Sequence, residues 1–181
     1  MSAVPDARRS SGLRRVLDGL YDGAAALAAL AMIGLLAMVL LAIVSRQLHF
    51  HVQGTDAYAG YLMAAAGFLA LAHTLKRGEH IRVSLLLEHS PPRVRTALDR
   101  GSLAIGAALA ALFAYYSVRL AWQSWKFHDI STASDATPLW LPQLSMALGA
   151  VILLVALIDE LLLEWRGQRR AVESAELLRN E

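Results

Sequence analysis

GAAALAALAMIGLLAMVLLAIVS, residues 23 to 45, is a run of 23 residues without one charged side chain. As an α-helix it extends about 35 Å, enough to cross a hydrocarbon core of about 30 Å with room to tilt. Three further apolar blocks follow, near 57–75, 101–122 and 138–160. Apolar residues make up 56% of the 181-residue chain and charged residues 18%, and their clumping decides the class. The sequence predicts an all-α integral membrane protein with four transmembrane helices over residues 13–165. Residues 1–12 read as a disordered N-terminus and 166–181 as an exposed, charged tail. The first block is too long for a signal-peptide core and reads as retained.

Between the second and third blocks lies Lys76-Arg77-Gly78-Glu79-His80-Ile81-Arg82-Val83-Ser84-Leu85-Leu86-Leu87. Gly78 can end the preceding helix, and the apolar residues after it are too few to span a bilayer but enough to lie on one. A short interfacial helix is the expected structure. Its apolar face is imperfect, because Ile81 and Leu85 point away from Val83, Leu86 and Leu87, which suits wedging between protein and lipid. Lys76, Arg77, Gly78, His80 and Arg82 are the candidate contacts to lipid head groups or to a partner.

Lys and Arg fix the expected orientation. The N-terminal segment, the connector from 76 to 100 and the C-terminal tail hold four, six and four, whereas the other two loops hold one and two. Fourteen against three places both termini and the connector in the cytoplasm. Helix starts are signalled by Thr55-Asp56, by Ser90-Pro91-Pro92 and by Thr137-Pro138. Tyr115, Tyr116, Trp122 and Trp125 form an interfacial aromatic belt at the end of the third span. Gly60, Ala64 and Gly67 in the second helix, and Gly106, Ala110 and Ala114 in the third, give small-residue sides suited to close packing in lipid.

The sites that chemistry would need are missing. There is no cysteine, which excludes disulfides and thiolate chemistry. No nucleophile elbow, phosphate loop or buried carboxylate pair is present, so the chain does not read as an enzyme. A net charge of +2 does not suggest a nucleic-acid binder. His49 and His51 form an H-x-H pair without a third ligand nearby, and solvated loop histidines are the plainer reading. His73 stands alone inside a span, where a haem between helices would want a second histidine at similar depth. Arg46, Asp56 and Arg119 fall near the outer interface, where Asp56 can pair with one of the arginines or the arginines can snorkel. Asp18 and Asp22 are expected to pair locally with Arg14 and Arg15. With no charge at a span centre and no mid-span proline, a carrier acting alone is not indicated, and the small-residue sides suggest a partner-binding scaffold.

Two strings carry a family resemblance. One is Tyr61-Leu62-Met63-Ala64-Ala65-Ala66-Gly67-Phe68 running on into Lys76-Arg77-Gly78-Glu79-His80-Ile81-Arg82-Val83, opened by the acidic Asp56. The other is Thr137-Pro138-Leu139-Trp140-Leu141-Pro142, followed by Leu148-Gly149. With the overall layout, these resemble the small four-helix (Q-type, DctQ-like) membrane subunit of tripartite ATP-independent periplasmic (TRAP) transporters. Asp56 stands where that family usually has glutamate, and Met146-Ala147 where a proline commonly precedes the glycine. The resemblance implies a scaffold subunit in the bacterial inner membrane, without a cofactor of its own. It would serve a large multi-span subunit that holds the substrate and sodium sites. A periplasmic binding protein would deliver an organic acid, with residues of 46–56 and 126–137 facing that protein. The alternative is a haem-binding membrane anchor of an oxidoreductase, for which His73 lacks a partner.

Overall fold

The computed structural model describes residues 12–50, 52–76, 91–133 and 135–165. They form four helices: α1 (Gly12–Gln47), α2 (Thr55–Lys76), α3 (Pro92–Phe127) and α4 (Trp140–Trp165). All four are long and apolar enough to cross a membrane, and among the described residues there is no strand. The chain is therefore an all-α protein with four candidate membrane spans. The expected N-terminal disorder, the interfacial helix and the exposed tail lie outside the described residues.

The helices do not close into a bundle. α1 packs on α2, α2 on α4, and α4 on α3, while α1 barely meets α4. The order across the layer is thus α1, α2, α4, α3, with α1 and α3 at opposite edges. A layer one helix thick would be untenable in water, where so many exposed Leu, Ile and Val side chains would be costly. In lipid the tails are as apolar as leucine, so closure brings little gain and close packing decides which helices meet.

Small residues make those contacts. On α1 the buried positions include Tyr21, Ala24, Ala28 and Ala31, and Ser45 continues the seven-residue register of Ala24 and Ala31. On α3 they are Leu103, Ala110, Ser117 and Ser124 at seven-residue steps, with Ala114 and Ala121 between. A repeat of seven is the register of left-handed helix pairing, and alanine and serine let the backbones approach. Ala110 and Ala114 lie on this buried stripe, and a Cβ on Gly106 would meet the Leu157 side chain of α4 at 3.7 Å. Gly60 and Gly67 pack against none of the described residues. Both are exposed, and a Cβ at either would meet nothing within 4 Å. The buried side of α2 is made instead by Thr55, Ala66, Leu69 and Ala72, with Ala64 half-buried.

α4 starts at Trp140, two residues after the proline of the expected Thr137-Pro138 start. The reason is local pairing. Ser131 N–H donates to the Thr137 carbonyl at 2.8 Å and Leu139 N–H to the Asp129 carbonyl at 2.9 Å, and Ile130 and Pro138 form an antiparallel bridge. This ties residues 137–139 to the preceding loop, and Leu141 N–H then donates to the Pro138 carbonyl at 3.1 Å across the turn at Leu139 as the helix begins. At the other boundary Pro91 occupies the N-cap of α3 and Pro92 its first turn, with no side-chain cap.

Candidate functional site

Two groups of side chains lie at opposite ends of the layer. The first joins the start of α1 to the end of α2. Asp18 forms an ion pair with Lys76, and Asp22 Oδ1 stands 3.6 Å from His73 Nδ1. Lys76 Nζ also lies 5.1 Å from the centroid of the Tyr21 ring, within cation–π range. Tyr21 is buried with Ala72 and Ala156, and Leu17, Leu75 and Ile152 pack around them. Asp18 thus pairs across to α2 and Asp22 stands beside His73, and neither aspartate pairs with Arg14 or Arg15. An arginine N-terminal to an acid is the weaker order along a helix, and Tyr21 seats the lysine beside Asp18. Lys76 is the one proposed connector residue within the described residues. Arg77, Gly78, His80 and Arg82 lie outside them.

The second group ties the two loops at the other end to α2. Tyr61 Oη lies 3.0 Å from Ser131 Oγ and 3.3 Å from Asp135 Oδ2, within hydrogen-bonding distance of both. The hydroxyls of Tyr58 and Thr137 are 3.0 Å apart, and the two tyrosine rings meet edge to face at 6.0 Å. Gly54, at φ +80°, brings the first loop against the second: a Cβ there would sit 2.8 Å from Asp135 Cβ. The Thr137 hydroxyl, and after it Ser131 and nearby backbone, hold the Asp135 carboxyl below its usual range against an opposing desolvation.

Arg46, Gln47, Thr55 and Asp56 rim a groove of about 340 Å³ between α1 and α2 at this same end, walled by Met38, Val39, Ala42, Ile43 and Ala59. Arg46 and Asp56 are exposed and form no ion pair within the described residues, with each other or with Arg119. Arg119 is exposed on α3, at the far edge of the layer. A second groove, about 490 Å³, is lined by Ala25, Ala29, Met32, Met63, Gly67 and His73 among others. Among the described residues no three His, Asp or Glu side chains come together to hold a metal. Among the described residues the central stretches of the helices, 23–45, 57–72, 101–118 and 140–158, carry no Asp, Glu, Lys or Arg.

The family described as tripartite ATP-independent periplasmic transporters, DctQ component, matches residues 35–167. The chain belongs to this family. No curated protein matches it. As a DctQ component it is a multi-pass membrane subunit of a transporter, a family of transport proteins rather than of enzymes. The match takes in the last third of α1, all of α2, α3 and α4, and both loops of the tyrosine-bound end.

Reading the residues alone missed Tyr58, Tyr61, Ser131 and Asp135 as one unit. The available signals were two tyrosines three apart at the start of a span and a glycine just before it. Nothing in the pattern paired them with a loop some 70 residues away.

Proposed function

We propose that this DctQ component is the scaffold subunit of a cation-coupled TRAP transporter for organic acids in the bacterial inner membrane. Its partners would be a large multi-span subunit, which carries the substrate and sodium sites, and a periplasmic binding protein. The observation that carries the reading is the open, one-helix-thick layer. Among the described residues it leaves exposed Gly60 and Gly67 with nothing within 4 Å of an added Cβ, and the central stretches of its helices carry no charge.

In this reading the layer widens the static part of the transporter while the large subunit moves. The charge asymmetry of the loops supports cytoplasmic termini, and the tyrosine-bound loops then face the periplasm. Arg77, His80 and Arg82 hold the connector at the cytoplasmic interface, against lipid head groups or the large subunit, with Gly78 as its hinge. Residues of the 46–56 and 126–137 loops meet the binding protein.

Affinity capture of the tagged chain from mild-detergent membranes tests the assignment. Recovery of a multi-span protein in near-equal amount supports it. Recovery alone, or with a Soret absorption band and redox subunits, overturns it.

A further inference from the structure

The groove rimmed by Arg46 and Asp56 is graded in polarity along its length. Its mouth holds a cation, an anion and the amide of Gln47, and its walls turn apolar within one helical turn. Arg46 and Asp56 face the same opening yet form no ion pair among the described residues, which leaves their charged groups open to a ligand there. Opposite charges side by side at a membrane interface would otherwise be expected to meet. The register shows how far the apolar track continues. On α1, Ala25, Met32, Val39 and Arg46 follow one another at seven-residue steps, and on α2 so do Asp56, Met63 and Ala70. All of them line one of the two grooves, which therefore share one side of the α1–α2 pair. Together the two grooves follow about 30 Å of α1, the first of them opening at the charged mouth.

We propose that this mouth binds the head group of a zwitterionic aminophospholipid, with an acyl chain laid along Val39 and Ile43. The planar guanidinium of Arg46 takes the phosphate through paired N–H donors, and the Asp56 carboxylate accepts from the primary ammonium. Each side of the pair rejects a different competitor. A choline head group cannot donate to Asp56, because its nitrogen carries no hydrogen. An anionic glycerol head group brings no cation and leaves the Asp56 carboxylate beside a phosphate. The site does not depend on which side of the membrane the mouth faces, nor on the transporter assignment.

Native mass spectrometry of the full chain in detergent tests this, with ethanolamine, choline and glycerol phospholipids of identical acyl chains. The ethanolamine lipid should be retained about tenfold better than the choline lipid, as one charge-assisted hydrogen bond warrants. Asp56→Asn should erase that preference, and Arg46→Gln should weaken all three lipids about tenfold. Both residues are exposed and form no ion pair among the described residues, so neither change should unfold the chain, and Arg119→Gln should leave the preference intact. Equal retention of the three lipids overturns the proposal, as does an Asp56→Asn chain that still prefers ethanolamine. Phosphoethanolamine without acyl chains competing as well as the lipid would also overturn it. A photo-crosslinker at position 43, used in the captured complex, should label lipid; labelling a partner protein instead would show that a helix fills the groove.

Discussion

Gly149 of α4 faces the Phe68 carbonyl of α2 so closely that a Cβ on the glycine would stand 2.5 Å from that oxygen. Phe68 passes this point and stacks its ring on Phe113 of α3, with centroids 5.7 Å apart. One missing side chain therefore lets the two central helices touch backbone to backbone and lets α2 reach across to α3. Gly149→Ala should destabilise the chain by about 2 kcal/mol or more, since the obstacle is backbone and cannot rotate away. Thermal unfolding in detergent measures it. Gly60→Ala and Gly67→Ala, at exposed helical sites, should leave the isolated chain as stable or slightly more so. If Gly67→Ala also weakens capture of the large subunit, its open face is an intermolecular contact.

Asp18 and Lys76 fix where α1 ends its contact with α2. Both side chains are partly exposed, so the pair is screened and its coupling should be modest, about 0.5–1 kcal/mol in a double-mutant cycle of Asp18→Asn and Lys76→Met. Lys76→Met alone should cost somewhat more than the coupling, because the ammonium also lies over the Tyr21 ring. Equal effects of Lys76→Met with and without Asp18 would show that the ion pair contributes nothing.

Asp135 makes the loop end of the layer sensitive to acid. Its folded-state pKa lies below the ordinary aspartate value, through the hydroxyls of Thr137 and Ser131. A depressed pKa means that the folded state favours the charged form, so its contribution is fully present above the unfolded value near 3.8. It fades as pH falls through the lower, folded value. Amide exchange in residues 131–139 should be pH-independent in protection above about pH 5 and should lose protection below about pH 4. Asp135→Asn should abolish that acid step, and Tyr61→Phe should reduce protection across the whole range. An acid step of unchanged size in Asp135→Asn would assign it to another group.

The elements legible in the sequence were those fixed by local rules. A charge-free run such as 23–45 can only be satisfied as a helix in lipid, so span number follows from composition. The spacing of Gly106, Ala110 and Ala114 is helical and can be read from the sequence, and Ala110 and Ala114 are among the buried residues of α3. Gly60 and Gly67 show the limit: a small-residue side says that something packs closely, not which molecule supplies it. The order of the layer was hidden for a related reason. Every helix in lipid offers an apolar surface all round, so hydrophobicity cannot choose neighbours, and a single backbone contact at Gly149 does. Asp18 and Asp22 misled because neighbours in sequence were weighed against partners that only the fold brings near.

Gly54 is the residue on which the joining of the two loops rests. Its φ of +80° lies where side chains are strained, and the space a Cβ would fill belongs to Asp135 Cβ at 2.8 Å. Gly54→Ala should therefore act twice, straining the backbone before α2 and pushing the 128–139 loop away from Tyr58 and Tyr61. The spans themselves should persist, because none of their buried stripes includes this residue. Circular dichroism should be unchanged, while protease cleavage after Lys126 or within the loop should become markedly faster. The chain has no cysteine, so a single cysteine introduced at Ser131 reports the same opening through its labelling rate. That site is buried in the native loop and should label faster in Gly54→Ala. Unchanged labelling and cleavage would mean that the tyrosines hold the loop without help from the glycine turn.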